Sequence, residues 1–277
     1  MMPIPLMLLW LLWVAQAPPG KLALVQPVIH QFEDGPPIAY GQEFIPGETV
    51  FFSVRVRGFQ TSKEQTVRLA YRFDAVDAGN VRLVETKVGR IETELSLQDK
   101  DWVPILRFNF IIPPHAEAGT YRILTSVKDE LSGSEAQITA PFEVRGYKVA
   151  PSSALVVRNF RFLRSEEDSS PLVEATYRAG SSLWARYDIT GFKIGENNRI
   201  SVQSQISILN SEGKVLYTQP EPASEQDSPF YPKRYVTEVF RLNIQPGTPV
   251  GEYSVLLTVK DLVGQQTFQG KYGFRIE

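Results

Sequence analysis

Few side chains in this chain are of types that do covalent or acid–base chemistry. There is no cysteine, and there are two histidines, His30 and His115. Disulfides, thiolate metal sites and cysteine nucleophiles are thereby excluded, and imidazole chemistry is confined to two positions. His30 falls in a strand pattern, and His115 falls in the Pro113-Pro114-His115-Ala116 turn, where a solvated side chain is expected. Asp99-Lys100-Asp101 and Glu166-Glu167-Asp168 offer carboxylates of the kind Ca²⁺ uses. A dedicated loop needs about six to eight oxygens at graded Asp/Asn/Gly spacing. Neither run has that spacing, and both read as solvated acidic loops. The chain has no Gly-x-Ser-x-Gly elbow, no His-Glu-x-x-His, no Gly-x-Gly-x-x-Gly and no Walker loop. These features predict a protein that is not an enzyme and uses no cofactor and no metal.

Aromatic side chains are the better candidates for binding. In the second half of the chain, the segment from Glu221 to Lys233 carries Ser228-Pro229-Phe230-Tyr231-Pro232, which puts Phe230 and Tyr231 in a proline-rich loop. Exposed loop aromatics suit sugar stacking or contact with a protein, and the competing use of such a pair is to cover the end of a sandwich or a domain junction. Trp102 belongs to the same class of loop aromatics. Phe51 and Trp184 occupy the nominally polar face of corresponding strands and complete the candidate surface of Phe230, Tyr231, Trp102, Phe51 and Trp184. Arg158, Arg161 and Arg164 recur every three residues, but in a strand they alternate faces and need not form a patch.

The elements that must position these residues are strands. Val50, Phe52, Val54 and Val56 share one face of a run whose other face carries Ser53, Arg55 and Arg57. Tyr121, Ile123, Thr125 and Val127 alternate with Arg122, Ser126 and Lys128 in the same way. Such alternation belongs to antiparallel sheets with one wet face. In the first half, strands are predicted near 22–32, 49–59, 66–76, 82–97, 104–112, 120–129 and 136–144. The second half repeats the first. Gly47 and Gly180, Gly58 and Gly191, and Phe59 and Phe192 stand 133 residues apart, while Phe108 and Phe240, Gly119 and Gly251, Tyr121 and Tyr253, and Asp129 and Asp261 stand 132 apart. Asp129 and Asp261 read as turn residues that bond their own backbone. The expected fold is all-β: two tandem antiparallel immunoglobulin-like β-sandwich domains of about seven strands each, at 22–146 and 154–277, joined by a short linker at 147–153 with little hinge freedom.

Phe44-Ile45-Pro46-Gly47-Glu48-Thr49-Val50 resembles the Pro-Gly-Glu-x-Val strand start of macroglobulin-like and related bacterial immunoglobulin-like domains. The Gly119-Thr120-Tyr121 strand, its Asp129 turn and the closing Phe142-Glu143-Val144 strand are similar to the end of those domains, and Gly251 to Asp261 with Phe274-Arg275-Ile276 repeats them. The resemblance implies a sandwich with an extracytoplasmic binding or structural role and no catalytic residues. The thioester of the macroglobulins needs a cysteine that this chain lacks.

Location and partner follow from the chain's start and charge. The apolar run from Ile4 to Ala15, followed by Gln16 and Ala17, reads as a secretory signal at 1–17 with a small-residue cleavage site. It is well short of the roughly 20 residues a spanning helix needs, and no later run predicts a membrane span in the mature chain. Lys+Arg 29 against Asp+Glu 31 gives a net charge of -2, without the basic excess a nucleic-acid surface uses. No Asn-x-Ser/Thr sequon is present. The expected protein is periplasmic or secreted, and it mediates protein–protein interaction or structural support in the bacterial cell envelope, with strand addition at a sheet edge as the natural mechanism. A carbohydrate-binding module using loop aromatics is the alternative. A pilus-type periplasmic chaperone comes third, because the paired basic residues that anchor its client are not identifiable.

Overall fold

The computed structural model describes residues 20–39, 41–96, 98–99, 101–168 and 170–277. The segment read as a secretory signal, 1–17, lies outside the described residues. The first half of the chain forms β1 (Ala23–His30), β2 (Glu43–Phe44), β3 (Thr49–Arg57), β4 (Thr66–Val76), β5 (Lys87–Glu94), β6 (Ile105–Ile111), β7 (Gly119–Asp129) and β8 (Glu135–Val144). The second half forms β9 (Val156–Leu163), β10 (Thr176–Tyr177), β11 (Ser182–Thr190), β12 (Ile200–Asn210), β13 (Val215–Thr218), β14 (Ala223–Asp227), β15 (Tyr235–Asn243), β16 (Gly251–Asp261) and β17 (Gln266–Ile276). The halves thus hold eight and nine strands among the described residues, against the about seven expected of each, with the two-residue β2 and β10 counted.

The strands make four sheets. One, β1-β3-β6, faces β2-β8-β7-β4-β5; another, β9-β11-β15, faces β10-β17-β16-β12-β13, with β14 also on β12. Each facing pair encloses its own apolar cluster. The alternation read from the sequence is the mechanism: Val50, Phe52, Val54 and Val56 are buried while Arg55 and Arg57 are exposed, so each strand gives one face to the core and one to water. The arrangement is not wholly antiparallel. Phe44 pairs with Val144 and Tyr177 with Ile276 in two short parallel bridges. Two-residue strands are too short to show a period of two, which is why the sequence reading passed over them.

The repeated sequence positions have repeated geometry. Asp129 is fully buried, and it accepts the Gln60 main-chain N–H at 2.9 Å, the Leu131 N–H at 3.0 Å and the Ser132 hydroxyl at 2.7 Å. Asp261 likewise accepts N–H groups from Lys193, Val263 and Gly264. These are turn residues, as expected, but they also tie the connection before β4 or β12 to the turn after β7 or β16. Tyr121 donates to the Glu117 carbonyl and Tyr253 to the Pro249 carbonyl, both at 2.8 Å, which is the tyrosine corner of immunoglobulin-like sandwiches. Gly58 and Gly191 have φ of 71° and 77°, and a Cβ at either would lie 2.1 or 2.0 Å from the carbonyl oxygen of Lys21 or Ala154. Glycine is required there by both conformation and space.

The halves differ at one sheet edge. In the first, β5 pairs with β4 without interruption from Thr66↔Glu94 to Phe73↔Lys87. In the second, the same edge of β12 is covered by two short strands, β14 beside Ile200 to Ser204 and β13 beside Ser207 to Leu209. Between them runs Gln219-Pro220-Glu221-Pro222. Proline has no N–H to give a ladder, so the edge breaks there. The stretch from Glu221 to Lys233 is therefore not all loop, as the sequence reading had it, because Ala223–Asp227 is strand.

Candidate functional site

Two groups of residues stand out once the sheets are placed: a polar junction between the halves and an open seam along the second sandwich. The junction is built on Tyr231. Its neighbour Phe230 is 46% exposed, with the Arg82 guanidinium 5.8 Å over its ring. Tyr231 itself is 2% exposed and packs into the apolar cluster of the first half. It cannot serve an outside ligand, which corrects the expectation for this residue; the competing use weighed for the pair, covering a junction, is where the structure places it. Both residues lie in the bend between β14 and β15, and the chain turns there so that one ring enters the first half's cluster while the other stays out.

The Tyr231 hydroxyl is held by charge. It donates to Asp77 Oδ2 at 3.0 Å and accepts from Arg234 Nη1 at 2.6 Å, and Arg234 Nη2 donates to the same Asp77 oxygen at 2.8 Å. Asp77 Oδ1 accepts the Val81 N–H at 2.9 Å. Burial alone would raise the Asp77 carboxyl pKa, but the Val81, Arg234 and Tyr231 donors outweigh it and hold it below the usual carboxylate range. Burial pushes the Tyr231 phenol up, so it stays a neutral donor. A second set of bonds crosses the junction through the segment read as a linker. Tyr147 donates to Asp188 Oδ2, which also accepts Asn159 Nδ2 at 2.7 Å, while Thr237 donates to Asp188 Oδ1 at 2.7 Å. Tyr147 further meets Tyr235 edge to face at 5.7 Å, and Val149 is buried.

His115 belongs to this junction, not to a solvated turn. Its Nε2 donates to the Tyr231 carbonyl at 2.7 Å, and its ring stacks on Tyr231 at 5.6 Å. Burial is the main cause lowering its pKa, and the Lys233 and Arg234 cations add to it against the opposing Tyr231 carbonyl and Asp227. A histidine with a lowered folded value binds its proton more readily when unfolded. Its contribution is therefore fully present above the unfolded value of about 6.5 and is lost as pH falls from there through the folded value. Urea midpoints measured between pH 8 and pH 5 are expected to fall on the acid side, and His115→Gln is expected to flatten that fall.

The other predicted surface residues lie apart from one another. Phe51 and Trp184 are half-buried on the outer faces of β3 and β11, and Trp184 carries the Arg241 guanidinium 5.4 Å above its ring. Trp102 packs against the first cluster and meets Phe59 edge to face at 5.9 Å. These two rings line a groove of about 650 Å³ together with Thr61, Gln65, Asp99 and Asp101. His30 closes a local turn, bonding the Gly35 carbonyl through Nδ1 and Ser53 Oγ through Nε2, each at 2.7 Å. Asp99 accepts the Ser96 N–H and hydroxyl within its own turn. Among the described residues no group of three or more His, Asp or Glu side chains is placed to hold a metal ion, and no helix is long and apolar enough to cross a membrane.

The seam lies where the broken edge of the second sandwich leaves β13 outermost in its sheet, beside β15, which is outermost in the facing sheet. All four residues of β13 are exposed, among them Val215, Leu216 and Tyr217. A groove of about 470 Å³ runs there between Leu216, Tyr217, Leu242, Thr248 and Phe274. The sequence reading missed the seam, and it missed Asp77, Arg234, Tyr147 and Asp188. The available signal was the repeat itself: Asp188 stands where the first half has Arg55, and Val215-Leu216-Tyr217 precedes a Pro-x-Pro with no counterpart in the first half.

No family model and no curated protein matches the chain. Among solved structures it is similar to the C-terminal domain of the antigen I/II polypeptide BspA of Streptococcus agalactiae, at 9% identity over 92% of this chain and 100% of that one, with a TM-score of 0.32. It is also similar to the C-terminal domain of the antigen I/II-family protein AspA of Streptococcus pyogenes, at 8% identity over 92% and 99%, TM-score 0.34. Red sea bream transglutaminase matches at 10% identity over 91% of this chain and 31% of that one, TM-score 0.27. Superpositions this loose transfer no residue and no activity. The chain's own sheets, facing cores and tyrosine corners make it an all-β, immunoglobulin-like fold.

Proposed function

We propose that the chain is a non-catalytic interaction module of the bacterial cell envelope, carried out of the cytoplasm by residues 1–17. In this reading the halves are two immunoglobulin-like domains, divided at 147–153 and locked by the Tyr231 junction, and the second offers its β13 edge to a protein partner by strand addition. The observation that carries it is β13: an edge strand with Val215, Leu216 and Tyr217 all exposed and no strand on its outer side among the described residues. Sheet proteins normally protect such an edge with charge, proline or a covering loop, because its free N–H and C=O groups and apolar side chains recruit another strand.

In-cell cross-linking of the tagged full-length chain, followed by affinity capture from envelope fractions, tests the reading. A partner whose cross-links map to β13, and whose recovery falls at least tenfold when Val215 and Tyr217 are both changed to lysine, is expected. Recovery unchanged by those lysines, or cross-links elsewhere, would overturn it. N-terminal sequencing of the exported chain is expected to start at Pro18.

A second reading is favoured by the Trp102 groove, whose aromatic floor and flanking Asp99, Asp101, Gln65 and Thr61 suit stacking on and hydrogen bonding to a sugar. It predicts retention of the chain on an immobilised envelope polysaccharide and loss of that retention in Trp102→Ala.

A further inference from the structure

We propose that the seam of the second sandwich contains a pocket for a primary ammonium group on an alkyl stem, the side chain of a lysine carried by the strand that adds to β13, with the Glu238 carboxylate as its acceptor. The partner half of this inference rests on the strand-addition reading; the pocket rests on its own geometry.

The repeat exposes the pocket. Tyr187 faces Glu238 across β11 and β15 where, in the first half, Val54 faces Leu106 across β3 and β6. Ser204 likewise stands 133 residues after Tyr71. An apolar pair in one core is thus a hydroxyl and a carboxylate in the other. Placing a charge between two sheets is costly without partners, and nothing in the sandwich fold calls for it, since the first half closes its core without it. The Tyr187 hydroxyl donates to Glu238 Oε2 at 2.7 Å, and the Ser204 hydroxyl donates to the same oxygen. Among the described residues Oε1 receives no hydrogen bond and Glu238 has no ion pair. The carboxylate is held at one oxygen and open at the other.

Glu238 lines a cavity of about 360 Å³ together with Tyr187, Ser204, Tyr217, Gln219 and Phe240. Tyr217 of β13, Gln219 and Ala223 of β14 are in its lining, which sets it beside the break between those strands, where Pro220 and Pro222 interrupt the ladder that β5 completes in the first half. Arg241 also borders the cavity, but its guanidinium sits over Trp184 and bonds Ser182 Oγ on the outer face, so it does not neutralise Glu238. One free carboxylate oxygen among aromatic rings suits a compact point charge with three donors and a flexible stem. A guanidinium fork needs both oxygens for its paired bonds, and here two hydroxyls occupy one of them. Tyr217 belongs both to this cavity and to the exposed β13 edge, so a side chain leaving an added strand has a direct path in.

Titration of the full-length chain with n-butylammonium, followed by amide chemical shifts and calorimetry, tests the pocket, with n-butylguanidinium, n-butanol and butyrate as comparison probes. Butylammonium is expected to bind at least tenfold more tightly than the other three, with shifts centred on Tyr217, Gln219 and Glu238. Glu238→Gln is expected to lose at least tenfold of that affinity, as is Glu238→Leu, the residue of the first half. Equal binding of butanol, tighter binding of butyrate or butylguanidinium, shifts elsewhere, or full affinity in Glu238→Gln would overturn the proposal. The four probes on the unaltered chain decide it even where a variant does not fold. If butylammonium binds and the β13 lysine variants still capture the partner, strand addition fails and the pocket stands. If β13 proves necessary and butylammonium does not bind, the pocket fails and strand addition stands.

Discussion

Tyr231→Ala is expected to lower the unfolding free energy by about 3–5 kcal/mol, the range for deleting a large buried aromatic. The side chain is 2% exposed, sits in the apolar cluster of the half it does not belong to, and anchors the triangle with Asp77 and Arg234. Its removal leaves a cavity in the first core and unpairs groups that were placed to meet a hydroxyl. Tyr231→Phe separates the two contributions: it keeps the packing and removes one hydroxyl from a network whose Asp77–Arg234 bond survives, so a loss of about 1–2 kcal/mol is expected. Denaturant unfolding of both variants measures the difference. Because the lost contacts cross the junction, limited proteolysis of Tyr231→Ala is also expected to cut faster within 147–153. Equal stability of the two variants would show that the hydroxyl network, not the plug, ties the halves together.

Asp129→Ala is expected to cost about 2–4 kcal/mol, because a fully buried carboxylate disappears and the Gln60, Leu131 and Ser132 donors lose their acceptor. The equivalent Asp261→Ala is expected to cost a similar amount, since Lys193, Val263 and Gly264 lose the same service. Asp129 also makes stability depend on acid. Burial pushes its pKa up, yet the Gln60, Ser132 and Leu131 donors outweigh burial and leave it below the unfolded value of about 3.8. A carboxyl lowered by folding contributes fully above the unfolded value, and the contribution is lost as pH falls through the folded one. Unfolding at pH 6 and at pH 2.5 is therefore expected to show a smaller acid loss in Asp129→Ala than in the unaltered chain.

Both predictions concern residues whose type was plain in the sequence and whose partners were not. Asp129 and Asp261 announced a turn, because an aspartate bonds backbone groups two or three residues ahead and that chemistry is local. The bond from Asp129 to Gln60 spans 69 positions and becomes visible only when β4 and β7 are laid side by side. Phe230 and Tyr231 make the sharper case. They are adjacent aromatics in one proline-bounded segment, with equal claims to a surface role, yet one is exposed and the other is core. Which is which depends on where the first half's cluster ends, and no local property of the pair encodes that.

By itself the sequence determined the all-β class, the repeat, most strand positions and the glycines and tyrosines of the corners. Each of these is written in a period of two or in a residue whose backbone or side-chain bonding reaches only a few positions. It also determined what chemistry is missing, since no fold supplies a cysteine. Tertiary structure alone decided the parallel bridges at β2 and β10, the division of one edge into β13 and β14, the assembly of Asp77, His115, Tyr231 and Arg234, and the meeting of Tyr187, Ser204 and Glu238. The physical reason is separation along the chain. A contact between residues 77 and 231 is set by the sum of every turn and register between them, and the half-buried Glu238 meets the Tyr187 hydroxyl only because the strand opposite places Tyr187 beside it.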